Sequence, residues 1–60
     1  MYERFKKAVE TAGTTDLIVL TRILNEVVVE CLQHNVVPFT DPAVMLLSRQ
    51  IAFAGNGDNP

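Results

Sequence analysis

Apolar residues recur along this chain at alternating spacings of three and four, in three separate runs. Tyr2, Phe5, Val9 and Ala12 form the first, with Glu3, Arg4, Lys6, Lys7 and Glu10 between them. Leu17, Leu20, Leu24, Val27 and Cys31 form the second, and Val44, Leu47, Ile51 and Ala54 the third. Spacing of this kind places side chains on one face of an α-helix. The second run contains "VVV" at Val27–Val29, which favours a strand locally. Period-two alternation nevertheless fails at once, because Leu17 to Leu20 are all apolar. The pattern predicts an all-α chain without an internal repeat.

Breaks in the pattern set the boundaries. Gly13 is expected to end the first helix by adopting the left-handed conformation. With only three turns, residues 1–13 form a short N-terminal helix or an arm. "TTD" at Thr14–Asp16 supplies an N-cap hydroxyl and a first-turn carboxylate for a main helix over about Thr15–Asn35. Asn35 suits a left-handed C-terminus, and Pro38 biases Val37 toward extended backbone. "TDPA" restarts a helix over about Pro42–Ala54, with Thr40 or Asp41 as cap and Pro42 at the first position. The expected unit is a helical hairpin, residues 14–54, followed by a polar disordered tail, residues 55–60.

The main helix carries more apolar surface than one neighbour can cover. At 100° per residue from Leu17, the residues Leu17, Val28, Leu32, Ile18 and Val29 span about 0–120°, and Ile23, Val27, Leu20, Cys31 and Leu24 about 240–340°. A helix facing a single layer needs a stripe of about 100°. Leaving several large aliphatic side chains wet forgoes about 1.5–3 kcal/mol each, against a total stability of about 3–9 kcal/mol for sixty residues. Two hairpins pairing about a two-fold axis, as a dimeric four-helix bundle, would bury the excess. The dimer interface is assigned to Leu17, Leu20, Leu24, Val27, Val28, Leu47 and Ile51. A different protein covering the same surface is the alternative.

Size and composition reinforce the need for a partner. A sixty-residue chain buries only about 60% of its unfolded surface. Its single cysteine, Cys31, excludes an internal disulfide framework and fits a reducing compartment. Five Lys and Arg against seven Asp and Glu leave no basic face, which argues against a nucleic-acid partner. Apolar runs of four or five residues ("LIVL", "AVMLL") are far shorter than a membrane span, and "MYERFKKAV" lacks the apolar run of a targeting segment. A cytoplasmic location is expected, without membrane association.

Candidate chemistry is sparse. Cys31 and His34 stand three apart, half of a Cys₂His₂ zinc set that a two-fold dimer could complete. A cysteine in an apolar seam and a histidine at a helix C-terminus also account for both residues without metal. Ser48 and Cys31 lack an orienting residue and oxyanion donors, and Glu26 and Glu30 read as a solvated face. Asn25 falls inside an apolar arc, where a polar residue either fixes the register of an assembly or lies at its edge. No catalytic residue, metal site or cofactor is assigned.

The stretches "LTRILNEVVVECLQ" and "TDPAVMLLSRQI" resemble the small helical-hairpin family of aspartyl-phosphate phosphatases that act on sporulation response regulators. The resemblance covers about two-thirds of the chain. It implies a long helix, a short loop and a second helix carrying a Ser-Gln-x-Leu-Asp signature. Here that position reads Ser48, Arg49, Gln50, Ile51 and Ala52. Ser48 matches and Ile51 is conservative, but Arg49 stands for the glutamine and Ala52 for the aspartate. Alanine can neither orient water nor bind metal. The resemblance therefore implies a response-regulator phosphatase or an inactive relative. The residues themselves point first to a non-enzymatic, homodimeric interaction or regulatory module that binds another protein, with the aromatics Phe39 and Phe53 as candidate contacts.

Overall fold

The computed structural model describes residues 3–56, which form three α-helices and one turn of 3-10 helix. Helix α1 spans Glu3–Thr11, α2 Leu17–Gln33 and α3 Pro42–Asn56, and the 3-10 turn is Pro38–Thr40. No strand occurs among the described residues.

Helix α1 is a packed element of the fold, not an arm. It lies against both α2 and α3. Ala8, with no exposed surface, lets the backbones approach, and Phe5 packs on the same core. A helix this short is marginal in isolation, so docking is what holds it together. Ion pairs from Arg4 and Lys7 help fix its position. Arg4 reaches Asp41 at the head of α3 (Nη2 to Oδ1, 3.0 Å), and Lys7 reaches Glu30 on α2 at 3.3 Å. The chain is thus a three-helix unit built on the expected hairpin.

Helix ends follow side-chain chemistry. Helix α2 begins at Leu17 because Asp16, not a threonine, is its N-cap. The Asp16 carboxylate accepts hydrogen bonds from the amides of Ile18 (2.9 Å) and Val19 (3.4 Å). Thr14 Oγ1 in turn accepts from the Asp16 amide. At the other end Asn35 adopts φ 59°, with Val36 N–H donating to the Cys31 carbonyl (2.8 Å) and Asn35 N–H to Leu32 (3.3 Å). That is a Schellman closure, and Val36 packs on the core just beyond it. Gly13 does not take the expected left-handed conformation; α1 ends at Thr11 in a turn closed by Thr14 N–H on the Thr11 carbonyl.

The connection to α3 contains the 3-10 turn, which periodicity did not foretell. Thr40 donates to the Val37 carbonyl through both its amide and its hydroxyl, and the Asp41 amide donates to Pro38. Asp41 Oδ2 then accepts from the Ala43 amide (3.1 Å) while the Asp41 carbonyl accepts from Met45. Pro42 opens α3 where a missing N–H costs nothing. Helix α3 runs through Gly55 to Asn56, two residues past the expected end, and residues 57–60 of the expected tail lie outside the described residues.

The core consists of Ala8, Leu20, Val27, Cys31, Ala43, Val44 and Leu47, one compact cluster drawn from all three helices. On α2 the buried residues lie at about 280–320° on the wheel that starts at Leu17. Of the two apolar arcs, the one containing Leu20 and Val27 faces inward. No helix among the described residues is long and apolar enough to cross a membrane.

Candidate interaction surface

With the core on one side of α2, its other apolar arc points outward. Ile18 is 80% exposed, Leu32 62%, Val29 51% and Leu17 43%. Thr21 and Asn25 lie among them and are exposed as well. The stripe runs the length of the seventeen-residue helix, about 25 Å at 1.5 Å per residue. Shallow depressions lined by Leu17, Ile18, Thr21, Arg22 and Asn25, and by Lys7, Asn25, Glu26, Val29 and Glu30, adjoin it end to end at Asn25. Exposed aliphatic side chains and the polar Thr21 and Asn25 thus share one strip of the helix.

The seven residues assigned to the dimer interface therefore divide. Leu20, Val27 and Leu47 have no exposed surface, because α1 and α3 cover them within one chain, so they offer nothing to a second copy in this conformation. Leu24, Val28 and Ile51 are half-buried at the margin of the core, and only Leu17 lies in the outward stripe. Ile18, Asn25, Val29 and Leu32 belong to the exposed surface instead. Their signal was the second arc of the helical wheel, with Asn25 at its middle.

A second group of exposed apolar residues lies on the 3-10 turn and α3: Phe39 (86%), Met45 (55%) and Phe53 (71%). Met45, Arg49 and Phe53 succeed one another at intervals of four, so they share one face of α3. The residues aligned with the phosphatase signature, Ser48, Arg49 and Ala52, are exposed on the same helix. The depressions lined by Glu3, Arg4, Glu30 and His34, by Lys7, Asn25 and Glu26, by Leu17, Ile18 and Arg22, and by Pro42, Met45 and Arg49 do not include Ser48.

Polar groups cluster between α1 and α2. Glu3, Arg4, Glu30, His34 and Val36 line one depression. Glu30 Oε1 accepts from Lys7, while Glu30 Oε2 is buried without a hydrogen-bond partner. Arg4 donates twice to Asp41 Oδ1, from Nε and Nη2, and that bonding raises its already high pKa. Cys31 is buried and its thiol pKa is raised, chiefly by desolvation and further by the nearby Asp41 charge. His34 is the exposed C-cap of α2. Cys31 and His34 thus face different environments. No group of three or more His, Cys, Asp or Glu residues able to hold a metal occurs among the described residues.

Neither family models, nor curated proteins, nor solved structures give a match to this chain.

Proposed function

We propose that this protein is a non-enzymatic helical interaction module that self-associates, pairing three-helix units in place of the four-helix bundle of bare hairpins. The carrying observation is the outward stripe on α2, where four large aliphatic side chains stay exposed after the chain has built its own core. Each would gain free energy on being covered, at about 25 cal/mol per Å². A role as inhibitor or adaptor of another protein would use residues outside this stripe, among them Phe39 and Phe53, the two most exposed aromatics among the described residues.

Sedimentation equilibrium of the full chain, from low micromolar to near-millimolar concentration, tests the proposal. The expected result is a mass that climbs from one chain toward two with helicity unchanged. A single-chain mass throughout, from a fully helical sample, refutes it.

A further inference from the structure

The outward stripe of α2 is nearly symmetric about its own midpoint. Helix α2 runs from Leu17 to Gln33, so Asn25 is its central residue. Asn25 also lies near the middle of the outward arc, at about 80° on the wheel. Ile18 and Leu32 stand seven residues to either side, Thr21 and Val29 four to either side. Reversing the helix about Asn25 therefore superposes exposed aliphatic on exposed aliphatic at the ends, and the β-branched Thr21 on the β-branched Val29 nearer the centre. A two-fold axis through this point would set Ile18 of each copy against Leu32 of the other, about 10 Å from the axis at 1.5 Å per residue.

Charge decides the direction. The flanks of the stripe differ: one carries Arg22 and Glu26, at about 140° and 180°, and the other Leu24 and Leu17, at about 340° and 0°. A two-fold axis parallel to the helices would abut unlike flanks, laying Arg22 against leucine. An axis perpendicular to the helices abuts like flanks. Arg22 of one copy would then face Glu26 of the other, twice over, while the leucines meet on the opposite side. Both Arg22 and Glu26 are exposed, and Glu26 has only a long 3.8 Å pairing with Lys7.

We infer that the stripe is occupied by a second copy of this chain running antiparallel to the first, with the two Asn25 amides meeting on the two-fold axis and Arg22 of each copy paired with Glu26 of the other. The inference rests on the self-association proposed above and adds its face, its direction and the role of Asn25. Two primary amides meeting on the axis can each donate to and accept from the other, and a polar pair within an apolar seam fixes register at some cost in affinity. The stripe is about 25 Å by about 10 Å, or about 500 Å² over both copies, below the area of standard specific interfaces, so the dimer is expected to be weak and to dissociate on dilution.

An equimolar mixture of Ile18→Cys and Leu32→Cys chains, oxidised at near-millimolar concentration and resolved by mass spectrometry, reads the direction. Both positions are exposed, so neither change touches the core, and the buried Cys31 is shielded from the oxidant. The expected product is the mixed disulfide, one chain of each kind. Like-with-like products overturn the inference. In parallel, Arg22→Glu should weaken the dimer roughly tenfold by turning two attractions into repulsions, and adding Glu26→Arg should restore it. Circular dichroism of each variant verifies the fold. A dimer of unchanged affinity in both variants overturns the inference while leaving self-association standing. A helical chain that stays single at every concentration overturns both.

Discussion

Two alanine substitutions one turn-face apart on α2 separate the core from the association surface. Leu20 has no exposed surface and belongs to a core drawn from all three helices, so Leu20→Ala removes three buried carbons and leaves a cavity. Such changes cost about 3–5 kcal/mol, the lost transfer free energy plus the unfilled volume. A sixty-residue chain has about 3–9 kcal/mol to lose, so this variant should be largely or wholly unfolded at any concentration. Ile18 is two residues away and 80% exposed. Ile18→Ala takes almost nothing from the single chain and exchanges a β-branched residue for the best helix former, a gain of a few tenths of a kcal/mol. Its cost should appear only in association. Urea unfolding followed by circular dichroism, at low micromolar and at near-millimolar chain concentration, distinguishes the two. Leu20→Ala should lose helicity at both concentrations. Ile18→Ala should match or slightly exceed the parent when dilute and fall below it when concentrated. A Leu20→Ala variant within 1 kcal/mol of the parent would show that the core is misplaced. Equal loss from Ile18→Ala at both concentrations would show that the stripe is part of the single chain's own packing.

Three further outcomes follow from the polar groups. At the head of α3, Asp41→Asn should retain an acceptor for the Ala43 amide but lose its charge for Arg4, and Asp41→Ala should lose both; melting temperatures should fall in that order, the cap alone contributing about 1 kcal/mol. The raised Cys31 thiol pKa means that the unfolded chain ionises first, so its contribution to stability is intact below the ordinary thiol pKa and is lost as pH rises through the folded value. Denaturant midpoints should accordingly decline above about pH 8.5, a decline that Cys31→Ala should reduce, and a thiol reagent at neutral pH should react only as fast as the chain opens. Incubation with a phosphorylated receiver domain should not accelerate phosphate loss; acceleration abolished by Ser48→Ala would establish phosphatase activity and displace the interaction module as the primary function.

What the sequence revealed was local, and what it concealed was long-range. Asn35 announced a left-handed helix end, and Asp41–Pro42 announced a helix start, because each acts on backbone within a few residues of itself. "VVV" did not divert α2 into a strand, since burial of Val27 in a three-helix core outweighs a modest propensity. Asp16, expected as a first-turn carboxylate, took the cap from the threonine hydroxyls before it, a choice among competent oxygens that composition does not resolve. The two apolar arcs of α2 were both visible, but which one faces inward depends on where α1 docks. One of the ties that hold α1 there is the Arg4–Asp41 pair, made across thirty-seven residues of chain. No periodicity encodes a contact of that kind.

The Arg4–Asp41 pair therefore has a consequence beyond its own two hydrogen bonds. Asp41 is 5% exposed and serves two elements at once: Oδ2 caps α3 while Oδ1 holds α1. Without Arg4, a buried carboxylate would remain with only one donor to its credit, and a nine-residue helix would lose one of the ties that fix its place. Ala8 and Phe5 would then be held less firmly against the core that contains Leu20 and Val27. Release of α1 would expose the inward arc of α2, and both arcs would compete for whatever partner is present. The expectation is that a charge pair at one end of the molecule biases which face of α2 is available at its middle. If the chain pairs as proposed, Arg4→Met should convert a single dimeric species into a heterogeneous, aggregation-prone one by sedimentation velocity, and Asp41→Asn in the same chain should partly restore it. A clean, unchanged dimer in Arg4→Met would mean that the apolar contacts of α1 alone settle the choice.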